Sequence, residues 1–398
     1  MAKPVYTLSQ IIGRLDSGQS WTTSHVSYAT PASAFGTDVE RNGFVDMTTF
    51  MQIVAADSFE LWDDLIAIAL DPVSSGGDIN MGYSTTTGGS TYTVPITSGF
   101  LNGREVLTDA EIWLDSSWDS HDADDDFYFG SYGVMTYIHE IGHALGLDHP
   151  GNYNGTATYA ADAVYAQDTN RYSVMSYFDA DADGSATSHW TSYGEWLYPE
   201  TPMVHDIAAI QSIYGADMTT RAGNTVYGFG STAGKGVYNF AHNPDPILTI
   251  WDGGGTDKLN LSGFSDKQTI RLSAGSYSSV GGMTNNLGIA FGCLIENATG
   301  GKGSDTIIGN AAANKLMGMA GKDTLKGAAG NDHLWGGSGA DILSGGAGTD
   351  RAYFSEQHSH YTIKHISGGY LVTDKSSGEI DKLIGIEKIV FTDSTLIL

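Results

Sequence analysis

Three histidines and a glutamate lie close together in the segment HEIGHALGLDHP, which begins at His139. On a helix of about 3.6 residues per turn, His139 and His143 project from one face, so that both imidazoles can reach one metal ion. A left-handed turn at Gly146 lets His149 return toward the same ion. Three ligands leave a coordination position open for a water whose pKa on zinc falls toward ~7, and Glu140 is placed to accept its proton. The segment therefore predicts a catalytic zinc site that activates water.

The residues around this motif predict the helix that must carry it. Val134, Ile138, Ile141 and Leu145 recur at helical spacing and form an apolar stripe beside the histidine face. Chance occurrence of HExxH on an ordinary core helix is the alternative, and the longer pattern HExxHxxGxxH argues against it. That longer pattern requires a methionine turn downstream, which the sequence SVMSY at Ser173–Tyr177 provides.

These motifs resemble those of the serralysin-type metzincins, a family of secreted bacterial zinc endopeptidases. The resemblance lies in Pro150 directly after the third histidine, in SVMSY, and in HDIAAIQSIYGA at His205–Ala216. It implies that residues 1–220 form an α/β metzincin domain with a twisted sheet, an active-site helix and a cleft. A helix over Pro202–Tyr214 is expected there, with Thr201 as its N-cap.

The resemblance also assigns roles to individual side chains. Glu140 is expected to be the general base and the later proton shuttle, and Met175 the apolar floor beneath the ligands. Tyr177 is expected to be a displaceable fifth zinc ligand that moves away to stabilise the tetrahedral oxyanion. The zinc ligands implied in this way are His139, His143, His149 and Tyr177.

A second pattern begins at Gly300, where glycines recur every nine residues as far as Gly345. Each unit is typical of the GGxGxDxUx repeat, in which glycines form tight turns, the sixth residue offers a calcium ligand, and the apolar eighth residue points into a narrow core. A flexible linker, the alternative, does not explain six units in one register. Residue 314 is asparagine, so the second unit is expected to bind calcium poorly. The predicted calcium ligands here are Gly301, Gly303, Asp305, Asp323, Asp332, Asp341 and Asp350.

Further calcium ligands follow from the resemblance in the segment that joins the two regions. The matching positions are those at which serralysins hold calcium where their two domains meet, and ordinary turns are the alternative. Arg221 would act through its backbone carbonyl. These candidates are Arg221, Gly223, Thr225, Asp252, Gly254, Gly255, Asp257, Leu294 and Glu296.

The expected fold class is therefore α+β with two domains. Residues 1–220 are the zinc-protease domain, and residues 221–398 are an all-β parallel roll and sandwich that ends in a C-terminal secretion signal. Because aligned carboxylates repel one another and the core is narrow, we expect the roll to fold only with calcium.

Composition favours an exported protein. Nineteen basic and 46 acidic side chains leave a formal charge of −27, which argues against nucleic acid or an anionic membrane as a partner. The single cysteine, Cys293, allows no intrachain disulfide and is expected to be a buried thiol. Such repeats resemble those of proteins exported by bacterial type I transporters, and the tail Phe391–Leu398 resembles their signals. The segment after Tyr353 is shorter than the C-terminal segment usual for serralysins. We expect a secreted monomer that acts on proteins or peptides.

Several weaker signals complete the expectations. Asp57–Ile68 has helical spacing, and Asp78–Tyr83 is typical of a strand. EIWL at Glu111–Leu114 is either the edge strand that aligns a peptide substrate or a simple buried strand. The acidic segments His121–Asp126 and Asp179–Gly184 are interpreted as solvated loops.

Two other functional classes remain open. A calcium-dependent binding or surface-layer protein with an inactive protease domain is disfavoured, because Glu140, the three histidines and Tyr177 are all present. A toxin-like processing factor with one dedicated protein substrate has the same residues, because pocket shape decides specificity.

Overall fold

The computed structural model describes residues 3–37, 39–116 and 128–398. The chain divides into two compact units, each with its own core. The first unit comprises Met1–His189, Trp196–Thr220 and Ile247–Trp251, and the second comprises Trp190–Glu195, Arg221–Pro246 and Asp252–Leu398.

A seven-stranded sheet forms the framework of the first unit. Its strand order is β1-β7-β5-β2-β4, with β3 added to β5 and β6 added to β7. The pairings of β3 and β6 are antiparallel, and the others are parallel. The strands are β1 Gln19–Ser20, β2 His25–Ala29, β3 Phe44–Val45, β4 Ala69–Pro72, β5 Ile79–Ser84, β6 Tyr92–Leu101 and β7 Arg104–Asp115.

Strand β5 confirms the prediction for Asp78–Tyr83 within one residue at each end. All of its side chains are buried, as expected for a strand that is covered on both faces.

Five α-helices of the described residues accompany this sheet, and local capping explains where the longer ones begin. They are α1 Leu8–Leu15, α2 Thr49–Asp63, α3 Tyr132–Ala144, α4 Tyr159–Asp162 and α5 Val204–Tyr214. The Thr48 hydroxyl accepts the Met51 amide at the start of α2, and the Ser131 hydroxyl accepts the Val134 amide at the start of α3. Helix α2 packs against α3, where the indole of Trp62 donates to a carbonyl at 3.0 Å.

The two sequence-based helix ranges need correction. The helix predicted at Asp57–Ile68 begins eight residues earlier, because Thr48 supplies the cap. The helix predicted from Pro202 begins at Val204, because the Asp206 carboxylate, and not Thr201, accepts the free amide of Met203 at 2.8 Å. Thr201 instead uses its hydroxyl to accept the amide of Thr249 at 2.9 Å.

The prediction of an edge strand at Glu111–Leu114 is wrong, and the buried-strand alternative is right. Glu111 pairs with Val94 of β6 on one side and with Asn80 of β5 on the other. The edge of the sheet on this side is β6, since no other strand in the described ranges pairs with it.

The second unit consists mainly of two parallel sheets built from alternating strands. One sheet has the order β8-β10-β14-β16-β18-β20-β24-β25, and the other has the order β11-β15-β17-β19-β23-β22-β21. Successive repeat strands fall on opposite sheets, so each nine-residue unit provides one strand and one turn. The first sheet contains β8 Val226–Gly228, β10 Lys258–Asn260, β14 Asn297–Thr299, β16 Lys315–Ala320, β18 His333–Ser338, β20 Arg351–Tyr353, β24 Lys388–Val390 and β25 Thr395–Ile397. The second contains β11 Thr269–Arg271, β15 Thr306–Ile308, β17 Thr324–Ala329, β19 Ile342–Ala347, β21 Tyr361–Ile366, β22 Gly369–Asp374 and β23 Ile380–Ile384.

The apolar eighth residue of each repeat lies inside the stack. Each of these side chains is at most 1% exposed: Ile307, Leu316, Leu325, Leu334, Leu343 and Ala352. This arrangement agrees with the predicted parallel β-roll. The stack ends in antiparallel pairs, β21 with β22, β22 with β23, and β24 with β25. The remaining short strands are β9 Leu248–Ile250 in the first unit and the antiparallel pair β12 Tyr277–Ser278 and β13 Leu287–Ile289 in the second.

Two further expectations concern the whole chain. Cys293 is buried and free, and burial raises the pKa of its thiol to about 12, as expected for an inert core residue. Among the described helices, none combines the length and the apolar character needed to cross a bilayer.

Candidate active site

Helix α3 and the turn that follows it position the three histidines. His139 and His143 lie one turn apart on α3, as the spacing predicts. The chain then reverses at Gly146, whose φ of +95° lies in the left-handed region. A side chain at this position would also meet the carbonyl oxygen of Gln19 at 2.5 Å. Both the left-handed backbone and the close Gln19 carbonyl therefore require glycine at the turn that brings His149 back to the helix.

The three imidazoles converge on one point. The Nε2 atom of His143 lies 3.1 Å from those of His139 and His149, and the latter two are 3.3 Å apart. The Nδ1 atoms of His139 and His143 lie 2.8 and 2.9 Å from backbone carbonyls, which only a protonated nitrogen can satisfy. The Nε2 atoms of His139 and His143 then direct lone pairs at each other and toward His149 Nε2, and a cation between the three nitrogens would relieve this repulsion.

The spacing and protonation of the histidines fit zinc. Metal-to-nitrogen bonds of about 2.0 to 2.1 Å in a tetrahedral site place the nitrogens roughly 3.3 Å apart. Burial lowers the pKa of His139, His143 and His149, the last to about 3, so all three are neutral and able to bind a metal near neutral pH. Among the described residues, this is the group whose donor atoms lie close enough to hold a metal ion.

Glu140 lies beside the histidines and is almost completely buried, at 4% exposure. Burial raises the pKa of its carboxyl group to about 7, while a hydrogen bond from Thr93 opposes this shift. The Thr93 hydroxyl lies 2.7 Å from Glu140 Oε2 and 2.9 Å from the Glu140 carbonyl oxygen. A carboxyl group with a pKa near neutrality can both accept and return a proton.

The turn at Ser173–Tyr177 lies directly beneath helix α3. Met175 is fully buried, and a side chain on Gly142 would meet its sulfur at 2.7 Å. The carbonyl oxygen of Val174 accepts the hydrogen bond from His139 Nδ1 at 2.8 Å. The turn therefore supports the helix by packing and orients one histidine directly.

Tyr177 lies at the opening of the site and is 38% exposed. Its ring centre is 4.6 Å from that of His149 and 5.8 Å from that of His139. Burial and the nearby charge of Glu140 raise the pKa of the phenol to about 12, so Tyr177 carries its proton in this state. The structure thus brings together all five residues predicted at this site.

Two residues that support the site were not recognised from the sequence. The buried Asp206 accepts the Ser173 hydroxyl at 2.6 Å and the Val174 amide at 2.7 Å, which ties the start of α5 to the methionine turn. Tyr153 stacks on His149 with ring centres 5.5 Å apart. Its hydroxyl donates to the buried Asp168 at 2.8 Å. The apolar neighbours of Asp206 in HDIAAIQ were the one available signal that this acid is buried.

A cavity with a volume of about 670 Å³ opens beside the histidines. Its walls come from the segment Gly89–Tyr92 before and at the start of β6, from α3, and from the loop after His149. Its acidic lining residues are Glu140 and Asp179, and its lining contains no lysine or arginine. The cavity has room for substrate side chains next to the proposed metal position.

The calcium candidates in the joining segment gather in stacked turns of the second unit. Asp257 Oδ1 accepts the Thr225 amide, and Glu296 Oε2 accepts the Asp257 amide, each at 2.7 Å. A side chain on Gly255 would meet the carbonyl oxygen of Gly223 at 2.3 Å, so these two turns touch. Burial, followed by the charges of Asp252 and Glu296, raises the pKa of Asp257 to about 7.

The other calcium candidates of the joining segment lie in or beside the same turns. The carbonyl oxygens of Arg221 and Gly223 lie 3.3 and 3.1 Å from the Thr225 hydroxyl. Asp252 Oδ1 accepts the Gly254 amide at 2.8 Å. Leu294 is 48% exposed, two residues before Glu296.

A regular ladder joins the carboxylates of the repeats. In four of them, Oδ1 accepts the amide of the residue 18 positions earlier at 2.8 Å; the pairs are Asp323 to Asp305, Asp332 to Asn314, Asp341 to Asp323, and Asp350 to Asp332. Asp305 Oδ1 instead accepts the Gln268 amide at 2.7 Å. The ladder ends on residues outside the repeats, because Asp381 accepts the Asp341 amide at 2.8 Å and Glu387 accepts the Asp350 amide at 2.7 Å.

The second carboxylate oxygen is available in four of these rungs. The Oδ2 atoms of Asp323, Asp332, Asp341 and Asp350 are buried without a hydrogen-bond partner. Asp305 differs, because its Oδ2 accepts the amide of Gly301 at 2.6 Å. Gly303 lies where a side chain would meet the Asp266 carbonyl at 2.5 Å. Unpaired buried anionic oxygens are costly unless a cation binds them.

Asn314 departs from this pattern, as its sequence suggested. Its side-chain Nδ2 donates to the Glu296 carbonyl at 2.7 Å and to Asn310 Oδ1 at 2.9 Å. The Nδ2 donor therefore faces residue 296, 18 positions earlier, where the aspartates place Oδ1. A neutral amide in place of a carboxylate supports the prediction of a weak calcium position in the second unit of the repeat.

The two acidic segments fall differently. The segment His121–Asp126 lies outside the described residues. Asp179 and Asp181 are exposed in a turn, in agreement with a solvated loop.

Comparison with known proteins adds independent information. Residues 216–393 match the family model Peptidase M10 serralysin C terminal. Metalloprotease AprA of Pseudomonas entomophila (strain L48) is 39% identical over 332 residues, which cover 78% of this chain and 66% of that protein. Serralysin G of Dickeya chrysanthemi is 35% identical over 331 residues, with the same coverage. Metallopeptidase AprA of Pseudomonas marginalis is 39% identical over 279 residues, which cover 69% of this chain and 57% of that protein.

These matches identify the chain as a serralysin-type metzincin, the family that the motifs resembled. The matched part of the chain spans between 57% and 66% of the length of these three relatives.

Proposed function

We propose that this chain is a secreted, zinc-dependent endopeptidase that hydrolyses peptide bonds in proteins. The observation that carries the proposal is the convergence of three neutral histidines, with Nε2 atoms 3.1 to 3.3 Å apart, beside a buried glutamate. The names of the relatives, metalloprotease and serralysin, support the same chemistry.

His139, His143 and His149 would hold the zinc ion. When bound, zinc supplies a Lewis acid that lowers the pKa of water toward ~7 and polarises a carbonyl group. The carbonyl groups that fix two of the imidazoles keep the ligand lone pairs directed at one position, as outer partners of metal ligands commonly do.

Glu140 would act as the general base and then as the general acid. Its carboxylate accepts the proton of the attacking water and returns that proton to the leaving amine. The raised pKa of about 7 suits both steps near neutral pH.

Tyr177 would donate a hydrogen bond to the oxyanion of the tetrahedral intermediate. Its pKa of about 12 keeps the phenol protonated for this purpose in the absence of a metal. Tyr177 also remains the candidate fifth residue that would hold the zinc ion.

Strand β6 would align the peptide substrate. No other strand of the described residues pairs with its outer edge, so an extended peptide could pair there, and the cavity of about 670 Å³ begins at its first residues. β6 thereby takes the substrate-binding role that the sequence suggested for Glu111–Leu114.

Structural calcium would bind in the second unit. Support comes from the four unpaired carboxylate oxygens of the repeats and from the grouped acids Asp252, Asp257 and Glu296. We further propose an extracellular monomer exported by a type I secretion system, in keeping with the net charge of −27 and the repeats.

The decisive experiment measures casein hydrolysis and bound zinc for the wild type and for Glu140→Gln. Because this change removes the base without altering the three histidines, we expect kcat to fall by about 10²- to 10⁴-fold while zinc content stays unchanged. Glu356→Gln, at a half-exposed surface position in the second unit, serves as the matched control and should retain wild-type activity. An active Glu140→Gln protein, or an active wild type without zinc, would disprove the proposed mechanism.

A further inference from the structure

The hydroxyl of Thr93 faces two acceptors that belong to the same residue. Thr93 is half-buried on β6, and its oxygen lies 2.7 Å from the Glu140 carboxylate and 2.9 Å from the Glu140 carbonyl. A threonine hydroxyl has one proton to donate and two lone pairs that can accept. It therefore cannot donate fully to both acceptors at the same time.

We infer that Thr93 is a positioning residue for Glu140 and holds its carboxyl group in both protonation states. This inference rests on the proposed function, because it concerns how the proposed general base is held. When Glu140 is ionised, the Thr93 hydroxyl donates to Oε2. When Oε1 carries the proton taken from water, Oε2 is still an acceptor for the Thr93 hydroxyl, which can also turn to donate to the Glu140 carbonyl.

Moving between these two acceptors needs only a rotation of the Thr93 hydroxyl proton. No proton leaves Thr93 and no covalent bond to it forms, so the proton taken from water stays on Glu140 until it passes to the amine. The carboxyl group therefore does not have to find a new partner between the two steps. Preorganised hydrogen bonds of this kind reduce the reorganisation that accompanies proton transfer.

The backbone fixes Thr93 firmly enough for this role. Thr93 pairs with Ile112 in the antiparallel register of β6 and β7, and β6 also contacts α3. A β-branched residue has restricted χ1 freedom, which holds its hydroxyl toward the helix. The same strand is the proposed substrate strand, so Thr93 links the substrate edge to the base.

The test compares side chains that keep or remove the hydroxyl at this position. Thr93→Val keeps the shape, Thr93→Ala removes the branch and the hydroxyl, and Thr93→Ser keeps the hydroxyl alone. Because a hydrogen bond to a charged group is lost, we expect Thr93→Val and Thr93→Ala to lower kcat by about 10- to 100-fold, with KM changed less than about 2-fold. Thr93→Ser should stay within about 3-fold of the wild type.

A control lies outside the proposed site. Thr362 is exposed on β21 in the second unit. Thr362→Val should leave kcat and KM at their wild-type values. Zinc content and the midpoint of thermal unfolding are measured for every variant, so that a folding defect is recognised. Should Thr93→Val fail to fold, the Ser and Ala variants decide the question alone.

The outcomes separate this inference from the proposed function. Wild-type kcat in Thr93→Val, or equal losses in the Ser and Ala variants, would overturn the role of Thr93 while leaving Glu140 as the base. A Glu140→Gln protein as active as the wild type would overturn both. In the Glu140→Gln background, the loss caused by Thr93→Val should disappear, and an additive loss would contradict action through Glu140.

Discussion

Backbone carbonyl groups orient two of the three histidines that we propose as zinc ligands. His139 is held by the carbonyl of Val174, and His143 by that of Leu147. Both carbonyls belong to turns, so the geometry of the site depends on how closely those turns approach helix α3. A close approach of this kind occurs at Gly142, where a side chain would meet the Met175 sulfur at 2.7 Å and also the Trp62 ring of helix α2 at 3.2 Å.

We predict that Gly142→Ala destabilises the protein and weakens zinc binding, although alanine is the better helix former. The added methyl group must displace Met175 or Trp62, and overpacking of this kind costs about 1–3 kcal/mol. Denaturant unfolding and competition with a zinc chelator measure the two effects. Gly13→Ala is the control, because Gly13 lies in α1 with nothing within 4 Å of the added carbon, and the helix there should gain roughly 0.5–1 kcal/mol. Equal stability changes for the two variants would contradict the packing argument.

The sequence predicted which residues share the site only where those residues lie near one another along the chain. The histidines and Glu140 share one helix and its turn, so helical periodicity is enough to place them together. Thr93 is 47 residues from Glu140, and Asp206 is 32 residues from Val174. No periodicity connects residues so far apart, and only the folded sheet and helices bring them into contact.

At the scale of elements, two repeat turns keep the backbone conformation of the pattern even though a residue other than glycine occupies the glycine position. This conformation costs free energy. Met319 and Ala328 occupy the second position of their units, where the pattern expects glycine. Both nevertheless adopt the left-handed backbone of that position, with φ of +83° and +82°. Such a conformation costs a residue with a side chain about 1–2 kcal/mol.

We predict that Ala328→Gly stabilises the calcium-loaded second unit by about 1 kcal/mol, because the strain at that turn is removed. The thermal midpoint of the full chain in calcium should rise by about 2–4 °C. Ala329→Gly, the neighbour without a positive φ, should lower the midpoint instead, because glycine there adds only freedom to the unfolded chain. A fall in the midpoint of both variants would show that backbone strain is not what limits this turn.

The sequence predicts the type of an element better than it predicts which other elements that element contacts. The repeat pattern sets strand and turn in every unit, because its apolar position must face the narrow core. The sequence predicts a strand at Glu111–Leu114 but not its interior position in the sheet, because an edge strand and an interior strand can have the same apolar pattern. Strand β6 contains Pro95 and an exposed end, and its residues 92–101 show little alternation of burial. Its role as the true edge follows from pairing, which the sequence does not display.

At the scale of the whole molecule, the excess of acidic residues includes many buried carboxyl groups in the second unit. In the absence of calcium, burial first and neighbouring charges next raise the pKa of Asp257, Asp323 and Asp381 to about 7. A raised pKa in the folded state means that folding favours the protonated form. The stabilising contribution is therefore complete below pH ~4, the ordinary range of aspartate, and is lost as pH rises through about 7.

We predict that the calcium-free second unit is less stable at pH 8 than at pH 5, and that calcium affinity changes in the opposite direction. Protonation competes with calcium for the same oxygens, so affinity should fall on acidification. The near-ultraviolet circular dichroism of the full chain, to which the stacked pair Trp335 and Tyr353 contributes, follows the transition. Full calcium removal at pH 8 should abolish most of the strand content of this unit.

Two variants test whether the buried carboxyl groups cause this pH dependence. Asp323→Asn should reduce the pH dependence of the calcium-free midpoint, whereas Asp266→Asn, at an exposed position, should leave it unchanged. Unchanged strand content after complete calcium removal at pH 8 would rule out calcium-dependent folding. A calcium-free midpoint that rises with pH would contradict the raised pKa values.

The carboxylate ladder also restricts how such a protein can change in length. Every interior rung spans 18 residues, which is two repeats, and successive repeats belong to opposite sheets. One added nine-residue unit would move every later strand to the opposite sheet. Asp381 and Glu387 would then no longer face the amides of Asp341 and Asp350. Two added units would leave both terminating contacts intact. Evolutionary growth or shortening of the stack is therefore expected in pairs of repeats, and parity, more than repeat number, is the property that selection has to preserve.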